Sequence, residues 1–221
     1  IRENTRLVLC THASNVTGTL QPIAKIGEMI KEINRERDAE NRIIFMVDGA
    51  QSAGCVPIDV EAMHIDMLAV PGHKGLLGPL GTGALYVGSD IDIYPIIEGG
   101  TGTASKDRVQ PLEFPEGFES GTVNAPGIIG LGYSVTWVRR IGPLQNALMN
   151  MDCVKVYGPA DCGEKTAVVT FNAVDRDGRV RLGCEEVAGR LADEYGIAVR
   201  GGFHCAGLAH QTIGTWDTGA V

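Results

Sequence analysis

The chain has 221 residues, enough to bury a full core, with 44% hydrophobic and 21% charged residues, which excludes bulk disorder. A net charge of −8 without a basic run excludes a nucleic-acid surface, because nothing is there to neutralise phosphates. No segment approaches the ~20 apolar residues of a membrane helix.

The six cysteines, at 10, 55, 153, 162, 184 and 205, form no C-x-x-C pair. That scatter predicts free thiols in a cytoplasmic protein rather than a disulfide framework. The first residues do not read as a signal peptide. The start, "IRENTRLVLC", reads as the run-in to a strand and suggests an absent N-terminal part.

Read in chain order, "TRLVLC" (5–10) is a buried parallel strand. Pro22 then opens a helix with Ile23, Ile26, Ile30 and Ile33 on one face. "RIIFMVD" (42–48) is a second buried strand, "VEAMHI" (60–65) a short helix, and "DMLAV" (66–70) a third strand. "GTGALYVG" (81–88) returns from a glycine-rich loop as a fourth. This alternation predicts an α/β fold, a parallel or mixed sheet covered by helices. Residues 99–126 read as a long ordered loop of the kind that carries function, and 127–142 as a helix. The turn-rich "YGPADCGEK" (157–165) is a junction. Beyond it, strand "TAVVTFNAV", helix "CEEVAGRLADEYG" and strand "IAVRG" predict a small β–α–β domain.

In open α/β sheets ligands gather at the carboxyl ends of the strands. His12 follows strand one, Asp48 closes strand two with Gln51 one turn on, and His73 and Lys74 follow strand three. A carboxylate, an amide, an imidazole and an amine at one edge form a candidate site. Pyridoxal phosphate needs such a set: a lysine for the Schiff base and a carboxylate that keeps the pyridine nitrogen protonated. A lysine nucleophile needs partial desolvation, which an apolar strand end supplies. "GHKGLLG" is not a Walker loop, since its lysine precedes the glycines. Taken singly, Lys74 reads as a surface lysine, Asp48 as a cap, His12 as a core histidine and Thr122 as a turn residue.

"HASNVTG", "VDGAQSAG", "PGHKGLLGPLGTGALYVG", "FESGTVNAPG" and "RGGFHCA" together resemble the class V aminotransferase family, in its cysteine desulfurase branch. The resemblance runs over essentially the whole chain. It implies fold type I of pyridoxal 5'-phosphate enzymes, with Lys74 as the Schiff-base lysine and Asp48 on the pyridine nitrogen. It further implies Gln51 on the phenolic oxygen, His12 stacked on the ring, His73 on the phosphate and Asn15 near the substrate. Thr122 would reach the phosphate of a neighbouring subunit's cofactor, hence a homodimer. Cys205, in a motif similar to that of the short-loop subgroup, would attack the sulfur of L-cysteine and pass it as a persulfide to an acceptor protein. His204 would assist that thiol, and Arg200 would be either a substrate-side cation or a solvated surface arginine. The other cysteines read as structural, and His64 and His210 receive no role. A transaminase, a selenocysteine or other C–S lyase, and a folded fragment without activity remain alternatives.

Two positions depart from the family pattern. Pro71 stands where a phosphate-binding serine is usual, and Phe203 where histidine is common. The resemblance also places the chain as the middle and part of the end of a longer enzyme. Residues 1–150 would belong to a cofactor-binding large domain lacking its N-terminal part, and 151–221 to an incomplete small domain.

Overall fold

The computed structural model describes residues 1–103, 106–136 and 143–221. Strand β1 (Leu7–Thr11) leads to helix α1 (Ile23–Asn34), then β2 (Ile44–Asp48), β3 (Met67–Pro71) and β4 (Gly83–Val87). The four strands lie in the order β1-β2-β3-β4. The first three run parallel and β4 runs antiparallel to β3, so the sheet is mixed.

Alternation along the strands decides the core. Ile43, Phe45 and Val47 point to one face and pack with Ile23 and Ile30 of α1 and with Ile65, all nearly inaccessible to solvent. The register Leu7↔Ile44, Leu9↔Met46, Thr11↔Asp48 puts the intervening residues, Asp48 included, on the opposite face. Leu7, Leu9 and Leu85 there are exposed. Arg42 pairs with Asp66 at 2.6 Å and with Asp90, while Asp66 Oδ2 accepts the Phe45 amide at 2.7 Å. These contacts pin the start of β2.

After β4 the described residues are irregular as far as helix α2 (Ala125–Val135), apart from a single turn at Glu116–Phe118. The expected end of that helix, 137–142, lies outside the described residues. Helix α3 (Pro143–Met149) then precedes β5 (Val154–Tyr157), which pairs antiparallel with β6 (Thr170–Ala173). Helices α4 (Cys184–Tyr195) and α5 (Gly207–Thr212) follow. Gly196 ends α4 with φ +67°, a left-handed position that suits glycine.

Two expected elements do not form. Residues 60–64 make only turns, because His64 sits at φ +53° and breaks the helical path. Residues 197–201 are not a strand. Their place beside β6 is taken by the chain end, where Phe171 and Val221 exchange backbone hydrogen bonds at 2.9 and 3.0 Å. Ile197 and Val199 stay exposed.

The loop after β1 clasps the second part of the chain. Thr166 N–H donates to Gly18 O and Leu20 N–H to Glu164 O, both at 2.9 Å, and Thr170 Oγ1 donates to Val16 O. Among the described residues no helix is long and apolar enough to cross a membrane, and no cluster of side chains forms a metal site.

Candidate active site

Three parallel strands end at one edge, and each delivers a side chain there. His12 follows β1, and its N–H donates to Asp48 O at 2.9 Å. His12 is 6% exposed, and among the described residues its Nδ1 is buried without a hydrogen-bond partner. Burial lowers its pKa below the ordinary histidine value, which keeps the ring neutral at physiological pH. Asp48 Oδ1 accepts the Ala50 N–H at 2.9 Å, which turns the chain sharply out of β2. The half-buried Gln51 rides on that turn.

Two glycines join this turn to the lysine loop. Gly54, at φ +81°, lies so close to Gly75 that a Cβ would fall 2.2 Å from Gly75 O. A Cβ on Gly75 would fall 2.4 Å from Ala53 O. Only backbones without side chains approach this closely. The contact sets Lys74, one residue before Gly75, beside the turn that begins at Asp48. The lysine loop is closed by Gly72 N–H to Thr82 O and Gly78 N–H to Gly72 O, both 2.7 Å. Lys74 and His73 are exposed, so the strand end does not supply the desolvation expected for Lys74, because the residue stands in the open loop beyond β3; no hydrogen bond among the described residues occupies its Nζ. Pro71 ends β3, paired in register with Gly83.

Helix α2 packs over this loop. Leu131 approaches Gly72 and Gly78, and Asn124 Oδ1 caps the helix by accepting the Gly127 N–H at 3.1 Å. Thr122, two residues earlier, is exposed. Among the described residues no hydrogen bond joins it to His12, Asp48 or Lys74.

The cysteine loop reaches the same edge. Asn15 Nδ2 donates to His204 O at 2.8 Å, across 189 positions of sequence. His204 and Cys205 both hold left-handed backbone, φ +51° and +60°, an unusual state for residues with side chains. Cys205 is exposed, and Arg200 Nη2 donates to its Sγ at 3.2 Å. The thiolate is the nucleophilic form of cysteine, and a guanidinium is the charged donor such a sulfur accepts from. His204 Nε2 lies 3.1 Å from Ala220 O. Desolvation lowers the His204 pKa, against the bond to Ala220, with His210 and Arg200 lowering it further. His204 is therefore a neutral neighbour of the thiol.

Sequence reasoning missed His210. It is wholly buried beneath His204, with ring centroids 5.5 Å apart. The Phe203 ring meets it edge-on at 5.3 Å and Trp216 at 6.0 Å. No periodic pattern links positions 203, 204, 210 and 216, so only the fold reveals the cluster.

Taken together, the edge offers a primary amine, a carboxylate, an amide and a neutral imidazole whose buried Nδ1 lacks a partner among the described residues. That set fits an aromatic aldehyde with a basic ring nitrogen. The fold is the α/β architecture of fold type I. The structure aligns with the apo cysteine desulfurase from Thermococcus onnurineus NA1 at TM-score 0.79 and 32% identity, covering 99% of this chain and 54% of that one. It aligns with the Escherichia coli cysteine desulfurase CsdA at TM-score 0.73 and 28% identity, covering 100% of this chain and 54% of that one. In sequence it is 35% identical to a probable cysteine desulfurase of Methanothermobacter thermautotrophicus, over 100% of this chain and 56% of the relative. The class-V aminotransferase model matches residues 1–218. The chain belongs to the class-V aminotransferase family, and it spans about half the length of the curated relatives it matches.

Proposed function

We propose that this chain carries the lysine and cysteine of a pyridoxal 5'-phosphate-dependent cysteine desulfurase, which converts L-cysteine to L-alanine. When bound, the cofactor supplies an aldehyde for amine condensation and an electron sink for charge at Cα. Lys74 Nζ holds that aldehyde and then serves as the base for the Cα proton. Asp48 keeps a proton on the pyridine nitrogen, Gln51 donates to the phenolic oxygen, and His12 stacks its neutral ring on the cofactor. His73 binds phosphate, with Thr122 supplied by a second copy of the chain in a homodimer. Asn15 and Arg200 orient the substrate beside Cys205.

Cys205 thiolate attacks the substrate sulfur. A sulfur–sulfur bond forms, the substrate carbon–sulfur bond breaks, and its electron pair stays with carbon, which takes up a proton to become alanine. The sulfur stays on Cys205 as a persulfide for a thiol acceptor, such as an acceptor protein.

The observation that carries this reading is the Asn15 bond to His204 O, since it ties the cysteine loop to the loop behind the His12 strand end. Support comes also from the names of the relatives, two of them cysteine desulfurases by solved structure. The test is Cys205→Ser with L-cysteine and a reducing thiol. Sulfide release should vanish while cofactor binding persists. A transaminase would be indifferent to this change, so retained sulfide release in the variant refutes the reading.

A further inference from the structure

Cys205 sits in a turn that the local sequence disfavours. Two consecutive residues with side chains, His204 and Cys205, take left-handed backbone, each at a cost of roughly 1 kcal/mol or more. Such a turn persists only where its surroundings hold it. On the outer side Asn15 holds the His204 carbonyl. On the inner side His204 Nε2 lies 3.1 Å from Ala220 O, and beneath its ring is the ring of His210. His204 lies almost parallel upon it, with 20° between the planes, and Phe203 meets it edge-on.

His210 is itself fixed. Its Nδ1 lies 2.8 Å from Thr215 Oγ1, its N–H donates to Ala206 O at 3.3 Å, and its carbonyl accepts the Thr215 N–H at 2.9 Å. Among the described residues its Nε2 is buried without a hydrogen-bond partner, and burial lowers its pKa although the Phe203 backbone pulls the other way. The ring, held by these hydrogen bonds, is a platform of the kind aromatic pairs use.

We propose that His210 is a positioning residue for Cys205: its buried ring carries His204 and Phe203, and so keeps the turn that sets Cys205 Sγ on the Arg200 guanidinium. This rests on the reading of Cys205 as the sulfur-accepting thiol, but it concerns the geometry of the chain alone. Without the ring, the turn relaxes toward ordinary backbone and Sγ leaves its donor.

The test is alkylation of the purified chain by iodoacetamide, followed peptide by peptide by mass spectrometry, with neither cofactor nor cysteine added. Cys153, exposed and far in sequence, is the internal reference. Protection of the buried Cys184 identifies folded variants. His210→Gln keeps a polar partner for Thr215 but removes the ring; Cys205 should react at least about fivefold more slowly relative to Cys153. His210→Phe restores a ring and should return to within about twofold of the wild type. Phe203→Ala alters the same platform at a half-exposed position and should also slow Cys205, which keeps the test open if His210→Gln does not fold. A purely structural histidine would change Cys184 protection without changing the Cys205 to Cys153 ratio. Cys205 reacting at the wild-type rate or faster in folded His210→Gln or Phe203→Ala overturns the proposal. Failure of the desulfurase reading would show separately, as sulfide release that survives Cys205→Ser.

Discussion

Asn15 and His204 are joined by a single hydrogen bond of 2.8 Å between a side-chain amide and a backbone carbonyl, 189 residues apart. The bond connects the loop behind a parallel strand end to the turn that presents the only cysteine with a guanidinium donor among the described residues. Because Asn15 is exposed, removing the bond should cost little stability. Asn15→Ala should lower the unfolding free energy by less than about 1.5 kcal/mol, yet reduce sulfide release about fivefold through lost positioning worth ~1 kcal/mol. Urea unfolding beside a turnover assay checks both, and equal turnover would show that the bond positions nothing.

The glycine contact between Gly54 and Gly75 predicts an effect at a distance from any reacting atom. Gly54→Ala places a Cβ 2.2 Å from Gly75 O at φ +81°. Both the overlap and the strained backbone oppose it, so stability should fall by more than about 1 kcal/mol. Lys74 should be displaced as well, which retention of pyridoxal by the variant would report.

Three histidines make stability depend on pH. Burial is the main cause that lowers the pKa of His12, His204 and His210. In the unfolded chain each titrates near 6.5. As pH falls below that value the unfolded chain binds protons that the folded chain refuses, so stability is lost on acidification and complete above it. Melting temperature should fall between about pH 7 and pH 5.5, above the carboxylate range. His12→Gln should flatten that slope, and an unchanged slope would show that the buried ring is not held neutral.

The core under the sheet makes the most severe prediction. Phe45 is fully buried between Ile23, Ile30 and Ile65, and Phe45→Ala should cost about 3–5 kcal/mol. Chemical denaturation measures it. A loss under 1 kcal/mol, roughly the scale of a surface change, would contradict the packing.

The sheet was legible because parallel strands read as continuous apolar runs, as "RIIFMVD" does, but the expected burial of the first strand does not hold, since Leu7 and Leu9 lie on the exposed face. The candidate site was legible because Asp48 closes such a run and His12 and Lys74 stand just past others. The second part of the chain was less so. β5 is only four residues, "VKVY", too short for a period to show. "IAVRG" has strand composition but no free edge to join, since Val221 occupies the position beside Phe171. His210 stands in "GLAHQT" with nothing around it to mark a buried ring. Thr122 illustrates the opposite limit: its proposed role needs a second copy, which no local pattern encodes.

In the proposed function Lys74 is the amine that takes up pyridoxal 5'-phosphate beside Asp48. The most direct measurement is borohydride reduction of the protein incubated with the cofactor, followed by peptide mapping. The account predicts a pyridoxyl group on the peptide bearing Lys74, absent in Lys74→Ala and weakened in Asp48→Ala. A label spread over surface lysines such as Lys25 and Lys31, with no preference for Lys74, would contradict it.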